Sequence, residues 1–250
     1  MIDIHCHLES KEYSNIDEII NECKNRKVEK IIASGYDLAS SKEVIELTKR
    51  FENVYATIGL LPDVIYEHNE DVKELEKLIE NKKVIGIGEI GLDYYWHKDK
   101  KEEQKQLFIK QIILANKYDL PIVIHCRDAI NDCYEILKEY KPKRGVMHCY
   151  SGSLEMARKF VDLGIYISIG GVSTFKNAKN IVEVIKEIPL EYIVLETDSP
   201  YLTPEPYRGK KNYPYYIPII ADKIAHIKNI DIKDVEYITN VNSCRLFDLK

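Results

Sequence analysis

The sequence predicts an α/β protein folded as a (β/α)8 TIM barrel, with residues 1–250 forming one domain. Three observations point there. Short β-branched runs alternate with longer amphipathic segments eight times over. The length of 250 residues matches the roughly 250 typical of such barrels. The first strand-to-helix turn, His5-Cys6-His7-Leu8-Glu9-Ser10, lacks the G-x-G-x-x-G of the main rival, a doubly wound dinucleotide-binding sheet.

The strands are expected at 2–6, 28–34, 54–58, 84–89, 121–126, 145–149, 165–170 and 192–197. Ile2 and Ile4 mark the first as buried, and Pro121 opens the fifth at a position that tolerates proline. The helical patterns between them fall at 16–26, 40–52, 69–82, 101–118, 128–141, 153–163, 177–187 and 213–228. Ser40 followed by Glu43 reads as a capping box for the second helix. Gly164 stands where a C′ glycine ends the sixth. A last helical pair over about 231–248 is expected to close the chain. No Ser- or Gly-rich linker or low-complexity tract marks a second domain.

Composition narrows the function. Hydrophobic residues make up 45% of the chain and charged residues 31%, enough for a large core under a polar surface. The net charge of −5 argues against binding nucleic acid by bulk charge, so any such contact must come from a local basic patch. No apolar run reaches the ~18 residues of a membrane span, and no leader pattern is present, so a cytoplasmic protein is expected. Six cysteines without a C-x-x-C pair are expected to be reduced. Cys6, Cys126 and Cys149 each adjoin a histidine, but strand alternation turns them towards the helices.

The chemistry gathers at the C-terminal ends of the strands. Residues i and i+2 of a strand share a face, so His5 and His7 present two imidazoles side by side. Strand four ends at Glu89, strand five at His125, strand six at His148 and strand eight at Asp198. In a barrel these ends meet at one mouth, where active sites of this fold lie. Any one of them has a plain reading: a satisfied core histidine, a helix cap, a turn aspartate. Together they place four imidazoles and two carboxylates in one spot at a high desolvation cost, which a divalent cation offsets.

Six imidazole and carboxylate ligands exceed what one catalytic zinc takes from protein. They suit two ions about 3.5–4 Å apart. The expected partition puts His5, His7 and Asp198 on one ion and His125 and His148 on the other, with Glu89 bridging. Zinc, magnesium, manganese and nickel all accept such donors. Two such ions acidify a bridging water, with Asp198 placed to accept the proton and Glu89 holding the ions together as the second catalytic residue.

These residues sit in recognisable motifs: Asp-Ile-His-Cys-His-Leu (3–8), Gly-Glu-Ile-Gly-Leu-Asp-Tyr-Tyr (88–95), Pro-Ile-Val-Ile-His-Cys-Arg-Asp-Ala (121–129), His-Cys-Tyr-Ser-Gly-Ser (148–153), Glu-Thr-Asp-Ser-Pro-Tyr-Leu (196–202) and Arg-Gly-Lys-Lys-Asn-Tyr-Pro (208–214). Over nearly its whole length the chain closely resembles the TatD-type metal-dependent deoxyribonucleases of the amidohydrolase superfamily. The resemblance implies a (β/α)8 barrel with a two-metal site. It also implies phosphodiester hydrolysis of DNA, trimmed as single strands from an end. Its ligand positions fall on His5, His7, Glu89, His125, His148 and Asp198. One departure stands out: the family pattern Gly-x-His-Pro reads Gly59-Leu60-Leu61-Pro62 here, with Leu61 in place of a histidine thought to hold substrate.

The substrate groove is expected in the basic, aromatic loop after strand eight. Arg208 and Lys210, with Lys211, suit phosphates, and Tyr207 or Tyr213 suits a base. The plain alternative is a solvated loop that covers the barrel. Tyr94, Tyr95 and Trp96 form a second aromatic group near the mouth. No membrane partner is expected. The ligand set does not separate phosphorus from carbon as the electrophile. The alternatives are therefore a metallohydrolase of a carboxylic ester or amide, such as an aminoacyl-tRNA, and a barrel that holds metals without catalysis.

Overall fold

A computed structural model describes residues 1–67 and 71–249. Eight parallel strands follow one another in sheet order as in sequence: β1 (Ile2–Cys6), β2 (Lys30–Ser34), β3 (Val54–Ile58), β4 (Val84–Asp93), β5 (Ile122–Arg127), β6 (Gly145–Met147), β7 (Ile165–Ile169) and β8 (Ile193–Leu195). The helices are α1 (Ile16–Asn25), α2 (Leu38–Arg50), α3 (Val72–Leu78), α4 (Lys101–Tyr118), α5 (Ile130–Tyr140), α6 (Leu154–Asp162), α7 (Lys179–Glu187), α8 (Ile217–Lys228) and α9 (Ile232–Phe247). The expected TIM barrel is what forms.

The barrel is drawn shut at its mouth by the chain just past β8. The Asp198 amide donates to the His5 carbonyl at 3.0 Å, and the His7 amide donates to the Ser199 carbonyl at 2.7 Å. The buried Asp3 carboxylate adds to this seam, accepting from the Thr197 amide at 2.9 Å and the Thr197 hydroxyl at 2.6 Å. A seam that joins β1 to the β8 loop brings His5, His7 and Asp198 together before any metal is considered.

Two cores hold the layers. Each helix buries one stripe against the sheet; in α1 the stripe is Ile16, Ile19, Ile20 and Cys23, the i, i+3, i+4, i+7 spacing of an amphipathic helix. A second cluster joins Ile2, Ile4, Ile32, Val123, Val146 and Val194 to Leu246 and Phe247 at the end of α9. These are early residues of their strands, so α9 seals the end of the barrel opposite the mouth. Each fully enclosed Ile or Leu contributes about 1.5–3 kcal/mol relative to exposure.

Several local expectations are corrected. The cap of α2 is Asp37, not Ser40: Asp37 Oδ1 accepts from the Ser40 amide at 2.6 Å, and Ser40 Oγ accepts in return from the Asp37 amide at 3.0 Å. Glu43 is drawn away, accepting from the Ser10 amide at 2.6 Å. The closing helical pair is the single helix α9. Before α8, Pro214–Tyr216 form a 3-10 turn. The start expected for the third helix, residues 69 and 70, lies outside the described residues; its described part begins at Val72, capped by Asp71. Gly164 does follow α6, with φ of +77°, a conformation natural to glycine.

The strand pairing is irregular at two places that matter. The β1–β2 register shifts between Asp3 and Cys6, bracketing His5. The β4–β5 register shifts between Ile87 and Ile90, bracketing Glu89. Such irregularities re-aim side chains near functional sites.

Candidate metal centre

All six predicted ligand residues converge at the mouth. The Nε2 atoms of His5 and His7 face each other at 3.2 Å. Glu89 Oε2 lies 3.6 Å from the first and 3.5 Å from the second. Asp198 Oδ1 lies 3.6 and 3.7 Å from the same two nitrogens. The other Glu89 oxygen faces the other way: Oε1 is 2.9 Å from His125 Nδ1 and 3.3 Å from His148 Nε2. One carboxylate therefore spans two nests of donors. Three overlapping groups, His5–His7–Glu89, Glu89–His125–His148 and His5–His148–Asp198, each hold their ligand atoms within 4.8 Å of one another.

The backbone that carries them is closely fitted. A Cβ at Gly59 would fall on the Glu89 main chain, and one at Gly91, where φ is +150°, would fall on the His125 carbonyl. Only glycine allows these approaches. Asp198 itself has φ of 54°, an uncommon conformation for a non-glycine residue and one held here by the seam to His5.

The groups that orient the imidazoles were not among the expected site residues. His7 Nδ1 donates to the Ser34 carbonyl at 3.0 Å, leaving Nε2 free for a ligand. His5 Nδ1 meets Ser34 Oγ at 2.9 Å, and Thr57 donates to that hydroxyl at 2.8 Å. His148 Nδ1 meets Glu196 Oε2 at 3.2 Å, while the Cys149 amide donates to Glu196 Oε1 at 2.6 Å. His125 Nε2 meets Asp93 Oδ2 at 3.1 Å. A partner on the far ring nitrogen fixes tautomer and direction, and carboxylate partners raise ligand basicity.

Electrostatics follow from this packing. Burial works against an ionised Glu89, but His148 and hydrogen bonds from His125, His148 and His7 hold its carboxyl well below the usual range. Burial also opposes an ionised Asp198, which the His5 hydrogen bond and the His148 charge nevertheless hold low. Burial alone would lower the two outer imidazoles. Asp93 and Glu89 instead raise His125 to about 9, and Glu196 and Glu89 raise His148 well above its usual value. His5 is lowered, by burial first and by His148 second.

The donors fit divalent cations. Two ring nitrogens facing each other among carboxylate oxygens, each with its second nitrogen already engaged, suit a positive charge between them. Nitrogen and oxygen donors in this mix are the usual ligands of zinc, manganese and nickel. The cysteines stand apart: all six are free, none belongs to a ligand group among the described residues, and Cys6 is buried with its thiol 3.6 Å from the Ile32 carbonyl.

The rim carries further polar and aromatic groups. The buried Glu9 carboxylate accepts from the Tyr36 hydroxyl at 2.9 Å and pairs with Lys11 at 2.9 Å. Tyr36 and Tyr201 approach the His7 ring, with centroids 5.5 and 6.2 Å away. Buried Asn212 ties down the loop after β8, donating to the Thr197 and Tyr201 carbonyls at 2.8 and 2.6 Å. Within that loop Tyr207 stacks on Tyr216 at 4.8 Å, Tyr213 stacks on Tyr215 at 4.8 Å, and Arg208 lies 4.2 Å over Phe175. Lys210 is exposed beside Tyr207, and Lys211 reaches Glu12. Leu61 is half-buried; its amide donates to the Tyr36 carbonyl at 2.8 Å. No helix among the described residues is long and apolar enough to cross a membrane.

Comparison with known proteins identifies the family. The model of a family described as TatD related DNase matches residues 2–248. An uncharacterized metal-dependent hydrolase of Bacillus subtilis, YabD, is 42% identical over 99% of this chain and 98% of its own length. Another from Escherichia coli, YcfH, is 34% identical over 100% of this chain and 96% of its own. Among solved structures, the TatD homolog YJJV of Escherichia coli superposes with a TM-score of 0.95 at 29% identity, covering 100% of this chain and 98% of that one. Organophosphorus hydrolase from Deinococcus radiodurans shares the fold, with a TM-score of 0.67 at 13% identity over 98% of this chain and 92% of that one.

Proposed function

The chain belongs to the TatD family of metal-dependent hydrolases in the amidohydrolase superfamily, and from that premise we propose that it hydrolyses phosphodiester bonds of single-stranded DNA from an end, using two divalent ions. The observation that carries the two-ion reading is the division of Glu89, with Oε2 towards His5 and His7 and Oε1 towards His125 and His148. The family's description as DNases carries the choice of substrate.

In this reading His5, His7 and Asp198 would hold one ion and His125 and His148 the other, with Glu89 offering an oxygen to each. Bound there, the ions supply Lewis acidity, lowering the pKa of water towards neutrality and neutralising charge on phosphoryl oxygens. The residues of the chain do the rest. Asp198, ionised and close to both inner histidines, accepts the proton of the attacking water. Glu89 stays ionised throughout. Ser34, Asp93 and Glu196 keep the imidazoles aimed, so little reorganisation accompanies the reaction.

The recess of the site favours an unpaired strand. Glu89, His5, His7 and His148 are buried, and only His125 and Asp198 are partly open. A phosphate of a flexible single strand can reach such a floor more readily than one held in a duplex. Arg208, Lys210 and Tyr207 then serve as contacts for the trailing strand on the loop after β8. Leu61, in place of a family histidine, leaves ion binding intact and bears on rate and substrate choice.

A release assay tests the reading. Metal-loaded protein is offered end-labelled single-stranded DNA, duplex DNA, a phosphodiester dye and an aminoacyl ester. Stepwise shortening of the single strand is expected, lost in His125→Ala and Asp198→Ala while the circular dichroism spectrum is kept. Turnover of the ester alone would overturn the proposal.

A further inference from the structure

Beside the candidate metal centre a cation with no acidic partner among the described residues lies against two exposed aromatic rings. Arg127, exposed at the end of β5, holds its guanidinium carbon 4.1 Å from the Tyr95 ring centroid and 5.6 Å from that of Trp96. The two rings meet edge to face, with centroids 4.7 Å apart. Tyr95 is 46% exposed and Trp96 66%. No carboxylate among the described residues pairs with Arg127. One exposed ring needs no explanation. Two adjoining rings under an unneutralised guanidinium, next to a buried polar site, form a surface suited to a ligand with a flat face and a negative charge.

The group is tied to the metal centre through one carboxylate. The amides of Tyr95 and Trp96 both donate to Asp93 Oδ1 at 2.9 Å. Asp93 Oδ2 meets His125 Nε2 at 3.1 Å. The Tyr94 amide donates to the Arg127 carbonyl at 2.9 Å, and the Tyr94 hydroxyl donates to Asp132 at 2.7 Å, anchoring the turn below. The rings therefore have a fixed position relative to His125. By contrast, Tyr207 and Tyr213 already have one face covered by another tyrosine.

We propose that Tyr95, Trp96 and Arg127 form a subsite for one unpaired nucleotide of the substrate, with the base stacked on the open Trp96 ring and the neighbouring phosphate held by Arg127. This rests on the nuclease reading and extends it. Every base has a π face, so such a platform is tolerant of sequence. A guanidinium lying on aromatic rings keeps its N–H edge free for phosphate oxygens. A base inside a duplex has both faces stacked, so the platform selects single strands.

The chain has one tryptophan, which makes the subsite its own reporter. Protein loaded with magnesium is titrated with a phosphorothioate oligothymidylate about eight nucleotides long, a length within the footprint of single-strand sites. Tryptophan emission and the anisotropy of a labelled oligonucleotide are followed together. Binding is expected to quench the emission. Trp96→Ala should weaken the anisotropy-measured affinity about tenfold. Arg127→Ala should weaken it similarly and reduce the salt slope by roughly 0.7. Binding with unchanged emission, and with both variants as tight as wild type, overturns the subsite. Cleavage of unmodified DNA by wild type separates the two readings. Cleavage without quenching leaves the nuclease and removes the subsite. Quenching without cleavage keeps the subsite and removes the nuclease. An oligonucleotide neither bound nor cut removes both.

Discussion

Glu89 Oε1 lies 2.9 Å from His125 Nδ1, while Nε2 of the same imidazole meets Asp93 Oδ2 at 3.1 Å. The ring is held between a carboxylate that faces the centre and one that faces away. The same arrangement recurs at His148, between Glu89 and Glu196. Both outer histidines are therefore aimed by pairs of acids, and both inner ones by Ser34.

Glu89→Gln keeps the size of the side chain and removes the charge that both nests share. Metal content measured by elemental analysis should fall from two ions per chain to one or fewer, and activity should fall by about a hundred- to a thousandfold, as for loss of a central electrostatic group. Two retained ions with near-normal activity would show that Glu89 does not bridge.

Asp93→Asn and Glu196→Gln leave every proposed ligand in place and remove only the charge behind His125 or His148. Chelator competition should show a loss of metal affinity of about 10–100-fold in each, the usual effect of such outer partners. The loss should be confined to one of the two ions. Wild-type affinity in both variants would reduce these acids to packing.

Metal uptake should release protons. In the metal-free protein His125 titrates near 9 and His148 well above its ordinary value, so both carry protons near neutrality, and metal requires them neutral. Calorimetry in buffers of different ionisation enthalpy should detect this release at pH 7.5. Affinity should increase as the pH approaches about 9. The metal-free fold should show the opposite trend. Between pH 6.5 and about 9 the folded state binds more protons at His125 than the unfolded state does, so stability falls as pH rises through that window. A metal-free melting temperature that climbs across it would contradict the assignment.

Gly59→Ala tests the fit of β3 against β4. The added carbon would meet the Glu89 backbone, so the strand end must move. Stability should fall by about 1–3 kcal/mol, as for an overpacked core site, and metal affinity should fall with it. Gly164→Ala, where no atom lies within 4 Å but φ is +77°, should cost stability without touching metal affinity.

The barrel and the six convergent side chains were legible because strand ends in this fold share one mouth, so residue order alone brings His5, Glu89 and Asp198 together. The orienting groups were not. Ser34 and Asp93 act across strands whose register shifts at His5 and Glu89 no alternation pattern announces, and Glu196 reaches His148 from the segment just past β8. The α2 cap was misplaced because Asp37 and Ser40 bond reciprocally while Glu43 turns to Ser10. The pairing of Arg127 with Trp96 joins two separate segments and leaves no local trace in the sequence.

The most direct test is a crystal structure of the metal-loaded protein with anomalous difference maps. Two peaks about 3.5–4 Å apart, one beside His5, His7 and Asp198 and one beside His125 and His148, with a Glu89 oxygen on each, are expected. A single peak, or a Glu89 carboxylate bound to neither ion, would contradict the account.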